Sequence, residues 1–334
     1  MVIHHSYTYR PFLRTKAGEV TALKHLDKTA RRRIEPIFQL TATVPSSFVP
    51  RMAGAWAGFP VILDGRYNFD STGDTVVMEQ LHRELNAQNI PAHPAIEVLT
   101  VGPYLLAVKK LSAASGGRLA IVAQLKNLPY VENWVIHHGW SMTSVDLIVH
   151  VGHVAEPSPL PLHEVVANAV SSLSGRGWKS VTLAASAAPK DMAALNAGRN
   201  VVPRRDWELW QSVYSRCEFQ LDYADYAANH PNLDEPPGVA MAVATVSVRY
   251  TAGNDWIIFK GKRIGGANGQ PMKQQYSSHA KALVGEAEFG GIQGCWADDR
   301  IRSIVAGSQT TGGRQQWVEN AVNRHLTLVA NHMP

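Results

Sequence analysis

One unit recurs along this chain and restricts its fold more than any other feature: a short β-rich run, a helical stretch, then another β-rich run. Eight runs qualify: IEPIFQL (34–40), PVILDGR (60–66), AIEVLT (95–100), RLAIVAQLK (118–126), VDLIVHVGHV (145–154), SVTLAAS (180–186), CEFQLDYAD (217–225) and VAMAVATVSVRY (239–250). Their centres lie roughly 25–37 residues apart, enough for a strand, a crossover helix and two short loops. Segments between them, such as DTVVMEQLHRELNAQN, PLHEVVANAVSSLSG and RRDWELWQSVYS, carry apolar residues at spacings of three and four, the helical period. Alternating strands and helices predict a parallel sheet covered by helices. Eight units predict a closed (β/α)8 TIM-like barrel. A doubly wound open sheet competes, but it usually places a glycine-rich phosphate loop after an early strand. No G-x-G-x-x-G occurs there, and GKRIGGANG (261–269) follows the last run instead.

No linker or low-complexity tract divides the 334 residues, so a single barrel domain over 1–334 is expected. Residues 1–33 read as an N-terminal cap with a helix from about Gly18, residues 34–250 as the eight strand–helix units, and 251–334 as a C-terminal loop and helical extension. A composition 45% hydrophobic and 18% charged supports a sizeable core and excludes a disordered chain. Lys and Arg number 32 against 27 acidic residues, a mild excess that permits contact with phosphates without long basic runs. The Arg31–Arg33 cluster reads either as a solvated helix end or as a partner contact. Two cysteines, Cys217 and Cys295, without a C-x-x-C pair suit a reducing compartment, and cytoplasmic location is the default. The N-terminus lacks the pattern of an export signal, and no stretch approaches the ~18 apolar residues of a membrane span, so no membrane partner is expected.

Alternation within each run separates a helix-facing set of side chains from a lumen-facing set. The inward set carries polar groups toward the strand ends: Gln39, Asp64, Arg66, Glu97, Lys126, His150, Ser186, Asp222 and Arg249. In a barrel those ends form the mouth where catalytic groups sit. Asp222, Glu97 and Asp64 are the candidate acids and bases, and Asp222 and Glu97 could instead jointly bind a hard cation. Arg249, Lys126 and Arg66 are the candidate anion contacts, joined by His150 and by Asp225 just beyond its strand. Asp222 is expected to pair with Arg249 of the next strand. Three acidic and three basic members could also neutralise one another as a purely structural plug, and that reading stays open. The basic, glycine-rich FKGKRIGGANGQPMK is placed as a loop after the eighth strand, where many barrels bind phosphate. H-V-G-H (150–153) puts its two rings on opposite sides of a strand, so no metal site is expected. No cofactor is indicated, and hydrolase and nucleotide-triphosphatase signatures are absent.

Several stretches in this order resemble the "beta protein" family of phages and prokaryotes: YRPFLRTKAGEVTALKHL, IEPIFQ, DYADYAANHP, VRYT followed by WIIFKGKR, and WVENAVNRHLT. The resemblance implies a (β/α)8 barrel and a phage or antiphage context. Such proteins tend to carry an acidic residue where this chain has Gln39, and paired histidines where it has Arg324 and His325. Two functions follow as expectations. One is binding or processing of a phosphate-bearing ligand, a nucleotide or nucleic acid, whether or not the chain is an enzyme. The other is a non-catalytic module that holds a phage or host protein through loops and aromatics such as Trp56, Trp134, Trp140 and Trp296.

Overall fold

The computed structural model describes residues 7–41, 43–154, 160–190, 192–233 and 245–334. Eight parallel strands form the barrel: β1 (Phe12–Arg14), β2 (Ile37–Gln39), β3 (Val61–Asp64), β4 (Ala92–Glu97), β5 (Leu119–Gln124), β6 (Val145–His153), β7 (Ser180–Ser186) and, after β8 (Gly198–Pro203), β9 (Leu221–Ala224). The ring closes where Tyr9, just before β1, bridges Tyr223 of β9, and the Arg10 and Phe12 amides donate to the Tyr223 and Asp225 carbonyls. Closure leaves no edge of the parallel sheet unpaired. Helices follow the strands as predicted, including Val76–Ala87, Leu160–Ser171 and Arg205–Tyr214.

The barrel is therefore present, but its first and eighth strands are not the ones predicted. Residues 1–33 are not merely a cap, because Y-R-P-F-L-R supplies β1. Only three residues satisfy strand pairing there and Pro11 withholds a donor, so the run is too short to stand out. The run at 239–250 is not a barrel strand. Residues 239–244 lie outside the described residues, and Thr245–Ala252 forms β10, antiparallel to β11 (Asp255–Arg263), which pairs in turn with β8. The physical cause is the tight Gly253-Asn254 turn, with Gly253 at φ 58°, which joins neighbouring antiparallel strands and cannot connect parallel ones. FKGKR accordingly lies inside β11 and is not a loop at the barrel mouth.

This three-stranded sheet separates two apolar cores. Trp256 and Ile258 face the main core between barrel and helices, whereas Val246, Val248, Tyr250, Ile257 and Phe259 pack with Tyr276, Ile301 and Trp317 from the helices beyond. The extension thus contains a sheet and a core of its own. Its last helix, Arg314–His332, is buried along most of its length and also packs on the N-terminal helix Ala17–Lys24.

Candidate functional site

Inside the barrel the inward positions stack in three layers. The middle layer is apolar, built from Phe12, Ile37, Ile62, Ala95, Val122, Ile148 and Ala224. It separates two polar layers, one at each end of the strands.

The layer at the N-terminal ends is an ion cluster around Arg10. The Arg10 Nε donates to Glu35 Oε2 at 3.1 Å, Nη1 to Asp222 Oδ2 at 2.6 Å and to Thr182 Oγ1 at 2.6 Å, and Nη2 to Asp146 Oδ1 at 3.2 Å. Arg118 adds bonds to Asp146 at 2.8 Å and Glu35 at 2.9 Å. Burial alone would weaken the charge on Arg10, but Asp222, Asp146 and Glu35 outweigh it and hold the guanidinium charged. Burial likewise opposes ionisation of Asp146, and Arg10 and Arg118 overcome it, drawing its pKa below the usual carboxylate range. Asp222 is thus corrected: it is the second residue of its strand, at the end opposite the mouth, and it pairs with Arg10 instead of Arg249. Every nitrogen of Arg10 is bonded here, whereas His93 Nε2 in the same layer is buried without a well-formed hydrogen bond to any described residue.

The layer at the C-terminal ends brings together Asp64, Arg66, Glu97 and His150. Arg66 grips Asp64 through two bonds of 2.8 Å and reaches Glu97 at 3.5 Å, while Gln124 donates to Glu97 at 3.2 Å. Asp64 overcomes the burial penalty and keeps Arg66 firmly charged. His150 Nε2 lies 2.8 Å from the Tyr226 hydroxyl, whose ring stacks on Phe12 at 4.6 Å. Burial and then the Arg66 charge push the His150 pKa down to about 4, so its ring is neutral at pH 7. Gln39 Nε2 and Ser186 Oγ are buried here without a well-formed hydrogen bond to any described residue, although Tyr67 approaches Gln39. Two mouth loops bend through left-handed residues other than glycine, Leu99 at φ 72° and Ala227 at φ 50°, a conformation held at a cost of order 1–3 kcal/mol each. Lys126 is exposed on the rim, in the single turn Leu125–Asn127.

The remaining two predicted residues lie outside the lumen. Asp225 points away from it, into a fully buried junction between barrel and extension. It accepts from Tyr9 Oη at 2.5 Å, Tyr223 Oη at 2.9 Å and the Ala227 amide at 2.8 Å, and His325 Nε2 is 2.7 Å away. Thr251 Oγ1 sits 3.0 Å from the other ring nitrogen of His325. The chain Thr–His–Asp has the connectivity of a nucleophilic triad, yet Thr251 and His325 are at most 1% exposed, so no substrate reaches the hydroxyl. Burial would raise the Asp225 pKa, but His325 outweighs it and the carboxyl stays below its ordinary range. Arg249 belongs to β10 and donates to the Ala228 carbonyl, outside the inward ring.

Sequence reading missed Arg10, Glu35, His93, Arg118, Asp146, Tyr67 and Tyr226. Six of the seven hold the parity of an inward position on or next to a strand; Tyr67 follows Arg66 in the loop after β3. Among the described residues no group of three or more His, Cys, Asp or Glu is placed to hold a metal ion.

The arrangement defines a parallel α/β barrel with a charged cluster around Arg10 at one end of its strands and a polar mouth at the other. The chain belongs to the Beta protein family, whose model matches residues 9–331. No curated protein sequence matches it. Among solved structures it resembles a mutant tryptophan synthase α-subunit from the hyperthermophile Pyrococcus furiosus, with TM-score 0.37 and 11% identity over 67% of this chain and 89% of that one. It also resembles triosephosphate isomerase from Bartonella henselae, with TM-score 0.35 and 14% identity over 67% and 93% of the two chains. At such values the barrel assignment rests on strand pairing. No described helix is long and apolar enough to cross a membrane.

Proposed function

We propose that this protein binds a phosphate-bearing ligand, a nucleotide or a nucleic-acid segment, at the C-terminal mouth of its barrel. The observation that carries the reading is a pair of buried mouth groups without a well-formed hydrogen bond to any described residue, Gln39 Nε2, which Tyr67 approaches, and Ser186 Oγ, in the polar layer that also holds the charged Arg66. A buried unpaired donor costs ~1–3 kcal/mol, and a mouth that retains two of them is organised for a guest. Phosphate oxygens would satisfy both and lie near the guanidinium, with Lys126 on the rim as a further cation. Glu97, whose side chain is 32% accessible, is the acid of the ring that a ligand can approach, and in a reaction it would serve as the base. Asp64, fully buried and gripped by Arg66, would orient Arg66. The phage or antiphage setting and a cytoplasmic location remain part of this proposal and follow from the family resemblance and the two free cysteines.

The alternative of a protein-docking module keeps only part of its aromatic support, since two of its four tryptophans are buried and Trp140 and Trp296 are half-buried. Trp56 and Trp134 are core residues, Trp140 leans on Trp134, and Trp296 stacks on His25 at 4.0 Å.

Ser186→Ala separates a site from a plug. It is expected to leave the free energy of unfolding from urea denaturation unchanged or raised by up to ~1 kcal/mol, because an unpaired hydroxyl is removed. Calorimetric titration with adenosine monophosphate should show binding weakened about tenfold. A variant that loses stability and binds the nucleotide as the parent does would exclude Ser186 from a ligand site.

A further inference from the structure

Alternation along β10 places Thr245, Ser247 and Arg249 in one row, and the helical period places Arg314, Trp317 and Ala321 in another. Between them, on the flank where the extension meets the barrel, lies a cavity of about 260 Å³. Two features make it unlike a packing defect. Arg249 is half-buried and, among the described residues, has no carboxylate partner; its only hydrogen bond is to the Ala228 carbonyl. Trp317, 4% exposed and stacked on Tyr276 with ring centroids 5.0 Å apart, lines the same cavity, and its indole Nε1–H has no hydrogen-bond partner among the described residues. A half-buried cation without a counter-charge and a buried donor without an acceptor are both costly, and one anion would satisfy both.

The walls indicate what that anion carries. One side is cationic and hydroxylic, from Arg249, Arg314, Ser247 and Thr245, and the other is aromatic and aliphatic, from Trp317, Tyr276 and Ala321. Arg314 is exposed and stands in the first turn of its helix, where the backbone dipole also favours negative charge. The volume falls just below the range of ~300–1,000 Å³ typical for drug-sized ligands. We infer that this flank cavity is a second binding site, separate from the barrel mouth, for a small aromatic or heterocyclic oxyanion, its charged group on Arg249 and Arg314 and its ring along Trp317. Burial, then repulsion from Arg14, lowers the Arg249 pKa to about 10, which still leaves it charged at pH 7 and short of negative charge.

Titration calorimetry with phenyl phosphate, benzoate and inorganic phosphate tests the site. At the flank, phenyl phosphate or benzoate is expected to bind with one molecule per chain, read in Ser186→Ala so that a phosphate event at the mouth is weakened, and about tenfold more tightly than inorganic phosphate, which leaves the aromatic wall uncovered. Whichever of the two binds better identifies the oxyanion as phosphate or carboxylate. Arg249→Gln should weaken that binding tenfold or more, on the order expected for losing a charge-assisted contact. Arg314→Gln alters an exposed side chain, so it tests the same point in a chain that folds, and should weaken binding about tenfold. Ser186→Ala, in the mouth, should leave this event unchanged. The inference is overturned if none of the probes binds at millimolar concentration, if both arginine variants bind as the parent does, or if binding is lost in Ser186→Ala and kept in Arg314→Gln.

Discussion

Arg10→Met is expected to lower the free energy of unfolding by ~3–5 kcal/mol, because it strands three buried carboxylates that Arg10 now neutralises. Urea denaturation at pH 7 measures this. The cluster should also make the protein acid-labile. Asp146 is depressed in the fold, so its contribution is complete above its unfolded value of 3.8 and is lost as pH falls through the folded one. His93 is held, chiefly by burial, at about 4 against an ordinary 6.5. The unfolded chain therefore takes up a proton that the folded one refuses, and stability is lost as pH falls from 6.5 toward 4. In Arg10→Met the Asp146 part of this dependence should shrink. Asp222→Asn should reproduce a smaller part of the destabilisation and leave nucleotide binding at the mouth intact, since the two ends are separated by the apolar layer.

Asp225→Ala is expected to cost a similar ~3–5 kcal/mol, from loss of a buried charge that accepts from two tyrosines and an amide and pairs with His325. Its second effect would be spatial. Tyr9 and Tyr223 belong to the seam that closes the barrel, and His325 to the C-terminal helix, so the substitution should loosen the extension first. Hydrogen exchange would report this as faster exchange in Arg314–His332 and β10 than in β4 to β6. Uniform loss of protection across both parts would show that the junction is not a local clamp.

The DYADY segment shows how far sequence could lead. Its alternation is legible, and the structure keeps it: Asp222, Ala224 and Tyr226 face the lumen, Tyr223 and Asp225 face outward. What alternation cannot supply is height along the barrel. Reading the strand as 217–225 put Asp222 near the mouth, whereas pairing begins at Leu221 and places it at the opposite end. The inward parity of Asp64, Glu97 and His150 was correct, and each stands at or near the C-terminal end of its paired segment, Asp64 and Glu97 as the last residues of β3 and β4 and His150 three residues before the end of β6. Arg249 failed for another reason. A strand of the right composition after the seventh run satisfies the count of eight, and only the Gly253-Asn254 turn reveals that it pairs with its successor. The charged cluster was illegible because Arg10 lies two residues before a strand only three residues long and bonds to groups 25, 136 and 212 residues away.

The central claim is that the mouth, and not the plug, receives a phosphate. A crystal structure from crystals soaked with tungstate, an electron-dense phosphate mimic, tests it most directly. The account predicts an anomalous peak within hydrogen-bonding distance of Gln39 Nε2, Ser186 Oγ or the Arg66 guanidinium. A mouth without tungstate, with the anion found only against Arg31, Arg32 and Lys179 at the opposite end, would contradict it.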